Sequence, residues 1–127
     1  MKPVLLDTHA LLWWIADDPQ LSVKARKAIT GGRCRFSLAS CWETAIKASL
    51  GRLKLDRPLA QFFQEELTAN GIKLLAIDFR HVMRVERLPF HHRDPFDRVL
   101  IAQALEEDFA LVSKDERFDA YGVNRIW

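Results

Sequence analysis

Cysteine is scarce in this chain of 127 residues: Cys34 and Cys41 are the two present. That count excludes a disulfide framework, and their spacing excludes a four-ligand zinc site. Both thiols are expected to be reduced, in a cytoplasmic protein. Long apolar runs are missing too. Leu11 to Ile15 is apolar but short, and Asp7 and Asp17 bracket it too closely for a membrane span, so no membrane partner is expected. Glycine and proline number five each, and they form no phosphate-cradling loop, nucleophile elbow, repeat or linker. His9, His81, His91 and His92 lack zinc spacing, and His91-His92-Arg93 reads as a solvated loop beside Asp94 and Asp97. A strong charge of one sign is absent as well: the net value is +2, which alone does not argue for nucleic acid.

What remains is a patterned chain with 49% hydrophobic residues, enough for a core, and one domain over residues 1–127 is the natural count. Short apolar runs at Pro3–Leu6, Arg35–Leu38, Ile72–Ile77, Phe109–Val112 and, more weakly, Val123–Ile126 read as strands. Helical patterns lie between them. Thr8–Ala16 is apolar nearly all round, Ser22 opens a second helix, and Ser40–Leu53 carries an apolar stripe through Trp42, Ile46 and Leu50. Pro58 starts a fourth helix with Gly71 at its end, Asp78–Leu88 a fifth, and Asp94-Pro95 caps a sixth. This alternation predicts an α/β fold, a mostly parallel sheet of about four or five strands flanked by helices.

Four acids then fall where strands give way to helices: Asp7, Glu43, Asp97 and Asp115. Each has a structural alternative. Asp7 can cap the next helix, Ser40-x-x-Glu43 is a capping-box pattern, and Asp115 suits a turn or a cap. Asp97 starts the apolar stripe of its helix while Asp94 supplies the cap, so it needs a partner. In a parallel sheet all four converge at the carboxyl edge, where open α/β folds place their sites. Clustered carboxylates repel unless a hard cation holds them, which points to magnesium or manganese. Lys47, Arg52, Lys54 and Arg57 follow Glu43, and Arg80, Arg84, Arg87 and Arg93 precede Asp97; such groups suit a polyanionic substrate or a solvated helix face equally. Trp13-Trp14 and Phe62-Phe63 are adjacent on helices, about 100° apart, so part of that surface is expected against a partner.

Four segments in order resemble the PIN-domain family, in its group of VapC-type toxin ribonucleases. They are Leu-Leu-Asp7-Thr-His-Ala-Leu-Leu-Trp, Ser40-Cys-Trp-Glu43-Thr-Ala-Ile-Lys47, His92-Arg-Asp94-Pro-Phe-Asp97-Arg and Leu111-Val-Ser-Lys-Asp115-Glu-Arg-Phe118. The resemblance covers nearly the whole chain. It implies a metal-dependent endoribonuclease with an acidic quartet of Asp7, Glu43, Asp97 and Asp115, holding Mg2+ or, in its place, Mn2+. Thr8 and Ser113 match polar positions beside that pocket. Lys47, Arg93, Arg98 and Lys114 are candidates to hold the RNA backbone. It further implies an antitoxin partner and a homodimer or larger toxin–antitoxin assembly. Two other readings compete. A receiver-like module with Asp78 as phospho-acceptor leaves Glu43 and Asp97 unused. A non-catalytic RNA- or protein-binding relative has no need of the complete quartet.

Overall fold

Strand alternation decides the layers. In β1 (Val4–Leu6), Val4 and Leu6 join one apolar cluster and Leu5 the opposite one, as the period-2 geometry of a strand demands. The computed structural model describes residues 2–127. β1 is followed by α1 (Thr8–Ile15), α2 (Val23–Gly31), β2 (Cys34–Ser37), α3 (Leu38–Ser49), α4 (Leu59–Ala69) and β3 (Lys73–Leu75). α5 (Phe79–Arg87), α6 (Pro95–Glu107), β4 (Ala110–Val112), a short 3-10 helix (Glu116–Tyr121) and β5 (Arg125–Ile126) complete the order. The sheet runs β3-β2-β1-β4-β5, and every pairing is parallel. This is the expected α/β architecture, with five strands.

Residues of α1, α2 and α4 pack with Val4, Leu6, Phe36 and Val112 on one face. Residues of α6, with Leu88 and Phe118, pack on Leu5 and Leu111 on the other. Leu5, Leu6, Phe36, Ile101 and Leu111 are fully buried, each contributing roughly 1.5–3 kcal/mol of transfer free energy. From β1 the sheet extends to β2 on one side and to β4 on the other. The order therefore reverses direction at β1, and a crevice at the carboxyl ends of β1 and β4 follows.

Three local expectations need correction. The capping box at Ser40 does not form: Ser37 caps α3 through the Ala39 amide, and Glu43 sits in the second turn. Ser40 is buried inside the helix, and its carbonyl accepts a hydrogen bond from Thr44. The apolar stripe of α3 faces outward, with Trp42 60% and Leu50 60% exposed. Conversely, Phe62 and Phe63 are both buried, because the Arg57 guanidinium covers the Phe62 ring at 5.0 Å while Phe63 packs on Phe36. They are core, and no partner is needed to cover them.

Candidate active site

Each of the four acids reaches one cleft of about 310 Å³ by a different local device. Asp7, directly after β1, caps α1 by accepting from the Ala10 amide at 2.8 Å, and the Ser113 hydroxyl bonds it as well. Capping and facing the cleft are thus compatible roles for one carboxylate. Glu43 is oriented from β1's side of the site: the Thr8 hydroxyl donates to its Oε1 at 3.0 Å. Asp97 stands in the first turn of α6, where Asp94 is the cap, accepting from the Phe96 and Asp97 amides. Asp115 caps the 3-10 helix after β4 through the Arg117 amide. Its own amide donates to the buried Ser113 hydroxyl, so one serine ties Asp7 and Asp115 together.

The electrostatics are uneven. Burial, partly offset by hydrogen bonds from Ser113 and Ala10, raises the Asp7 carboxyl. Burial and then repulsion from Asp94, Glu43, Asp7 and Asp115 push Asp97 up to about 7. Burial acts upward on Asp115 too, but hydrogen bonds from the Arg117 side chain and amide and from His92 hold it at about 2. Asp97 and Asp7, both raised, are the carboxyls that a bound cation would relieve.

His92 is the residue that the sequence reading misplaced. It is buried, not solvated, and its ring stacks on Phe118. Nε2 bonds Asp115 Oδ2 at 3.1 Å and lies 3.1 Å from Asp97 Oδ2. Although these three side chains converge closely enough to surround an ion, the other ring nitrogen decides the matter. Nδ1 accepts from the Asp94 amide at 3.2 Å, so the ring proton sits on Nε2. His92 is then a donor to the acids and not a metal ligand. Carboxylate and hydroxyl oxygens are left as the donor set, and that set fits a hard divalent cation. The cluster can hold one.

The proposed substrate contacts divide sharply. Thr8 and Lys114 line the cleft, and Ser113 supports it from within. Lys47 lies 3.9 Å from Glu43 and serves as its ion-pair partner outside the cleft lining. Arg93 is exposed and also outside that lining. Arg98 is a correction: it is buried, and its guanidinium donates to the carbonyls of Pro89, His92, Val85 and Leu88. It shapes the chain around the site and cannot hold RNA. Arg117 and Trp13, which the sequence reading did not assign to the site, do line the cleft. Only the position of Arg117 two residues after Asp115 hinted at this.

A PIN domain family model matches residues 4–124. Ribonuclease VapC22 of Mycobacterium tuberculosis is 31% identical over 123 residues, covering 95% of this chain and 93% of that protein. Among solved structures, VapBC2 from Rickettsia felis bound to a DNA fragment from its promoter aligns with a TM-score of 0.69 at 11% identity, over 99% of this chain and 100% of that one. FitAcB from Neisseria gonorrhoeae aligns at 0.66 and 16% identity, over 96% and 95%. Matching sequence along nearly the full length and a matching fold lead to one assignment: the chain belongs to the PIN-domain family.

Proposed function

We propose that this protein is a metal-dependent endoribonuclease and the toxin of a toxin–antitoxin pair, with residues 1–127 as its nuclease domain. The observation that carries the reading is the convergence of Asp7, Glu43, Asp97 and Asp115 on one cleft, with Asp97 pushed to about 7 by burial and its acidic neighbours. The ribonuclease name of the 31% identical relative supports it. So do the solved toxin–antitoxin complexes of like fold.

Asp7 and Asp97 are the direct ligands in this reading, and Glu43 and Asp115 complete the set. A magnesium or manganese ion held there supplies positive charge to the phosphate oxygens and lowers the pKa of water. The chain's own groups do the positioning. Thr8 fixes the Glu43 carboxylate, which orients the attacking water. Ser113 and His92 hold Asp7 and Asp115 in place. Lys114, on the cleft wall, neutralises a phosphate beside the scissile one. Water adds to phosphorus and gives up a proton to solvent, the bond to the leaving ribose oxygen breaks, and that oxygen takes a proton from solvent.

The partner half of the reading rests on apolar surface. Leu38, Trp42, Ile46 and Leu50 on α3 are exposed, as are Phe79, Val82 and Met83 on α5. Scattered apolar exposure is ordinary, but contiguous helical stripes mark interaction surfaces. We assign them to a homodimer contact, and a small antitoxin blocks the cleft. No helix among the described residues is long and apolar enough to cross a membrane, and a cytoplasmic setting suits the RNA substrate.

The test is incubation of pure protein with total RNA in Mg2+, Mn2+ or chelator. Cleavage with either metal and none in chelator is expected. Intact RNA under every metal condition, from antitoxin-free folded protein, would falsify the activity.

A further inference from the structure

Beside the acidic cleft lies a second, wider one of about 640 Å³, and the two share Lys114, Asp115 and Arg117 as a common wall. The far side of the second cleft is formed by Arg125 and Trp127. Trp127 is partly exposed and meets Trp13 with ring centroids 5.8 Å apart. Trp13 belongs to the acidic cleft, stacks on His9 at 5.4 Å, and carries the Lys114 ammonium 6.0 Å above its ring. An aromatic line thus runs from the first cleft into the second, with cations beside it.

The cations are not equally engaged. Arg125 is fixed to Asp119 and to the Ser113 carbonyl, and is largely buried. Arg117 is 65% exposed and clamps Asp115 in a multiple hydrogen bond at the junction of the clefts. Lys114 is exposed and has no ion pair among the described residues. Glu116 lies on the same lip, so a polyanion would follow Lys114 and Arg117 and not the whole rim. Adjacent indoles flanked by the exposed cations of Lys114 and Arg117 match what single-stranded nucleic acid requires: a stacking platform for a base and positive charge for the backbone. A duplex cannot use them, because its bases are already stacked and its faces are closed.

We propose that the second cleft receives an unpaired nucleotide adjoining the scissile phosphate, its base stacked on the Trp127 indole where that meets Trp13, and its phosphate at Lys114 and Arg117. This rests on the endoribonuclease reading of the neighbouring acids and adds to it a base-stacking subsite at Trp127. It also gives the exposed part of Trp13 an occupant within the RNA path, where the sequence had suggested a protein partner.

Binding can be measured by fluorescence anisotropy in chelator, where no cleavage is expected, using a labelled mixed-sequence RNA of roughly 12 nucleotides, long enough for one such site. The same RNA annealed to its complement is the competitor. Wild-type protein should favour the single strand. Trp127→Ala should weaken that binding by about 5- to 150-fold, the range of one base–aromatic stack, whereas Trp127→Phe should stay within about threefold. Lys114→Ala, which leaves the indoles in place, should lower the salt dependence by about one phosphate contact. Circular dichroism melts verify that each variant is folded. Equal affinity for duplex and single strand, no binding of either, or unchanged binding by folded Trp127→Ala together with Lys114→Ala overturns the inference. Cleavage of total RNA by the wild type in Mn2+ is scored separately, so the nuclease reading survives or fails on its own.

Discussion

The chain builds the same three-residue constellation twice. At the candidate site, buried His92 joins Asp97 and Asp115; at the outer edge of α5 and α6, buried His81 joins Asp78 and Glu107. In both, the histidine Nδ1 accepts a backbone amide, from Asp94 in one and Asp78 in the other, and Nε2 meets carboxylate oxygen at about 3 Å. A list of residue types could not tell them apart. Charge balance can. Arg80 bonds both Asp78 and Glu107, closing the outer cluster with its own cation. Desolvation acts upward on Asp78, yet hydrogen bonds from the His81 amide and the Arg80 side chain together hold it below the usual carboxylate range. At the site, Arg117 serves Asp115 alone, and Asp97 is left among like charges at about 7. An acid cluster that supplies its own counter-ion is a fold element; one that lacks it is arranged to receive one. Asp78 belongs to the cluster that is already paired, and membership of the PIN-domain family removes the receiver-like reading that made it a phospho-acceptor.

The largest expected difference is in cleavage. Asp97→Asn and Asp7→Asn should each lose at least about 100-fold in RNA hydrolysis with Mn2+, the scale at which loss of transition-state charge stabilisation is felt. Glu107→Gln should stay within about twofold of wild type, since nothing at that cluster touches the reacting atoms. Rates on a common RNA substrate decide it, and a dead Glu107→Gln enzyme would erase the distinction drawn between the clusters.

Metal-linked stability comes next. At Mn2+ a hundredfold above its dissociation constant, wild-type stability should rise by about 2.7 kcal/mol, visible as a higher Tm. Asp97→Asn should lose that response and Glu107→Gln should keep it. A Mn2+ response that disappears with Glu107 instead would place the ion at the wrong cluster.

The third comparison is in chelator, against pH. Asp97 has a folded pKa of about 7 against an ordinary value of 3.8. Below the ordinary value both folded and unfolded chains hold the proton, and no penalty exists. Between the two values the unfolded chain ionises first, so stability falls as pH rises, and the deficit is complete above about 7. Asp97→Asn should therefore stabilise the metal-free protein by about 1–4 kcal/mol at pH near 8 and hardly at all near pH 4. Asp94 holds the capping bonds of α6, so the substitution removes no cap. Urea melts at the two pH values give the difference; destabilisation at the higher pH would refute the repulsive cluster.

Smallest of all is the effect of uncovering the outer cluster. Arg80→Ala removes its exposed cation and should shift the thermal melt little, because exposed ion pairs contribute little to stability. The thermal melt should otherwise look like wild type.

The elements that were legible in the sequence are those set by local rules. The alternation of strands and helices, Ser22 at the opening of α2, Asp94 as the cap of α6 and Pro95 at its start all appear as expected. Asp7 and Asp115 were legible because they follow strand ends in a parallel sheet, and Asp97 because it opens the apolar face of α6; Glu43, in the second turn of α3, was legible through the family resemblance. What failed depended on tertiary neighbours. Helical periodicity identifies the α3 stripe but not whether anything covers it, and Trp42, Ile46 and Leu50 look outward. Phe62 and Phe63 are both buried because Arg57 folds over one of them, which no pattern within α4 encodes. His92 looked like a loop residue because nothing nearby in sequence reports that Phe118, more than twenty positions on, will receive its ring.

Arg98 shows what such a hidden residue can specify. Its two terminal nitrogens carry four hydrogens between them, and four carbonyls from Val85, Leu88, Pro89 and His92 surround them. Each hydrogen has its own carbonyl, and two of those oxygens accept elsewhere as well, Val85 from the Leu88 amide and Pro89 from the Tyr121 hydroxyl. A lysine offers three hydrogens from a single point and would lose at least one of these four bonds. The end of α5 and the turn into α6 are thus tied together by one side chain whose donors match its carbonyls in number. His92 inherits its position from that arithmetic.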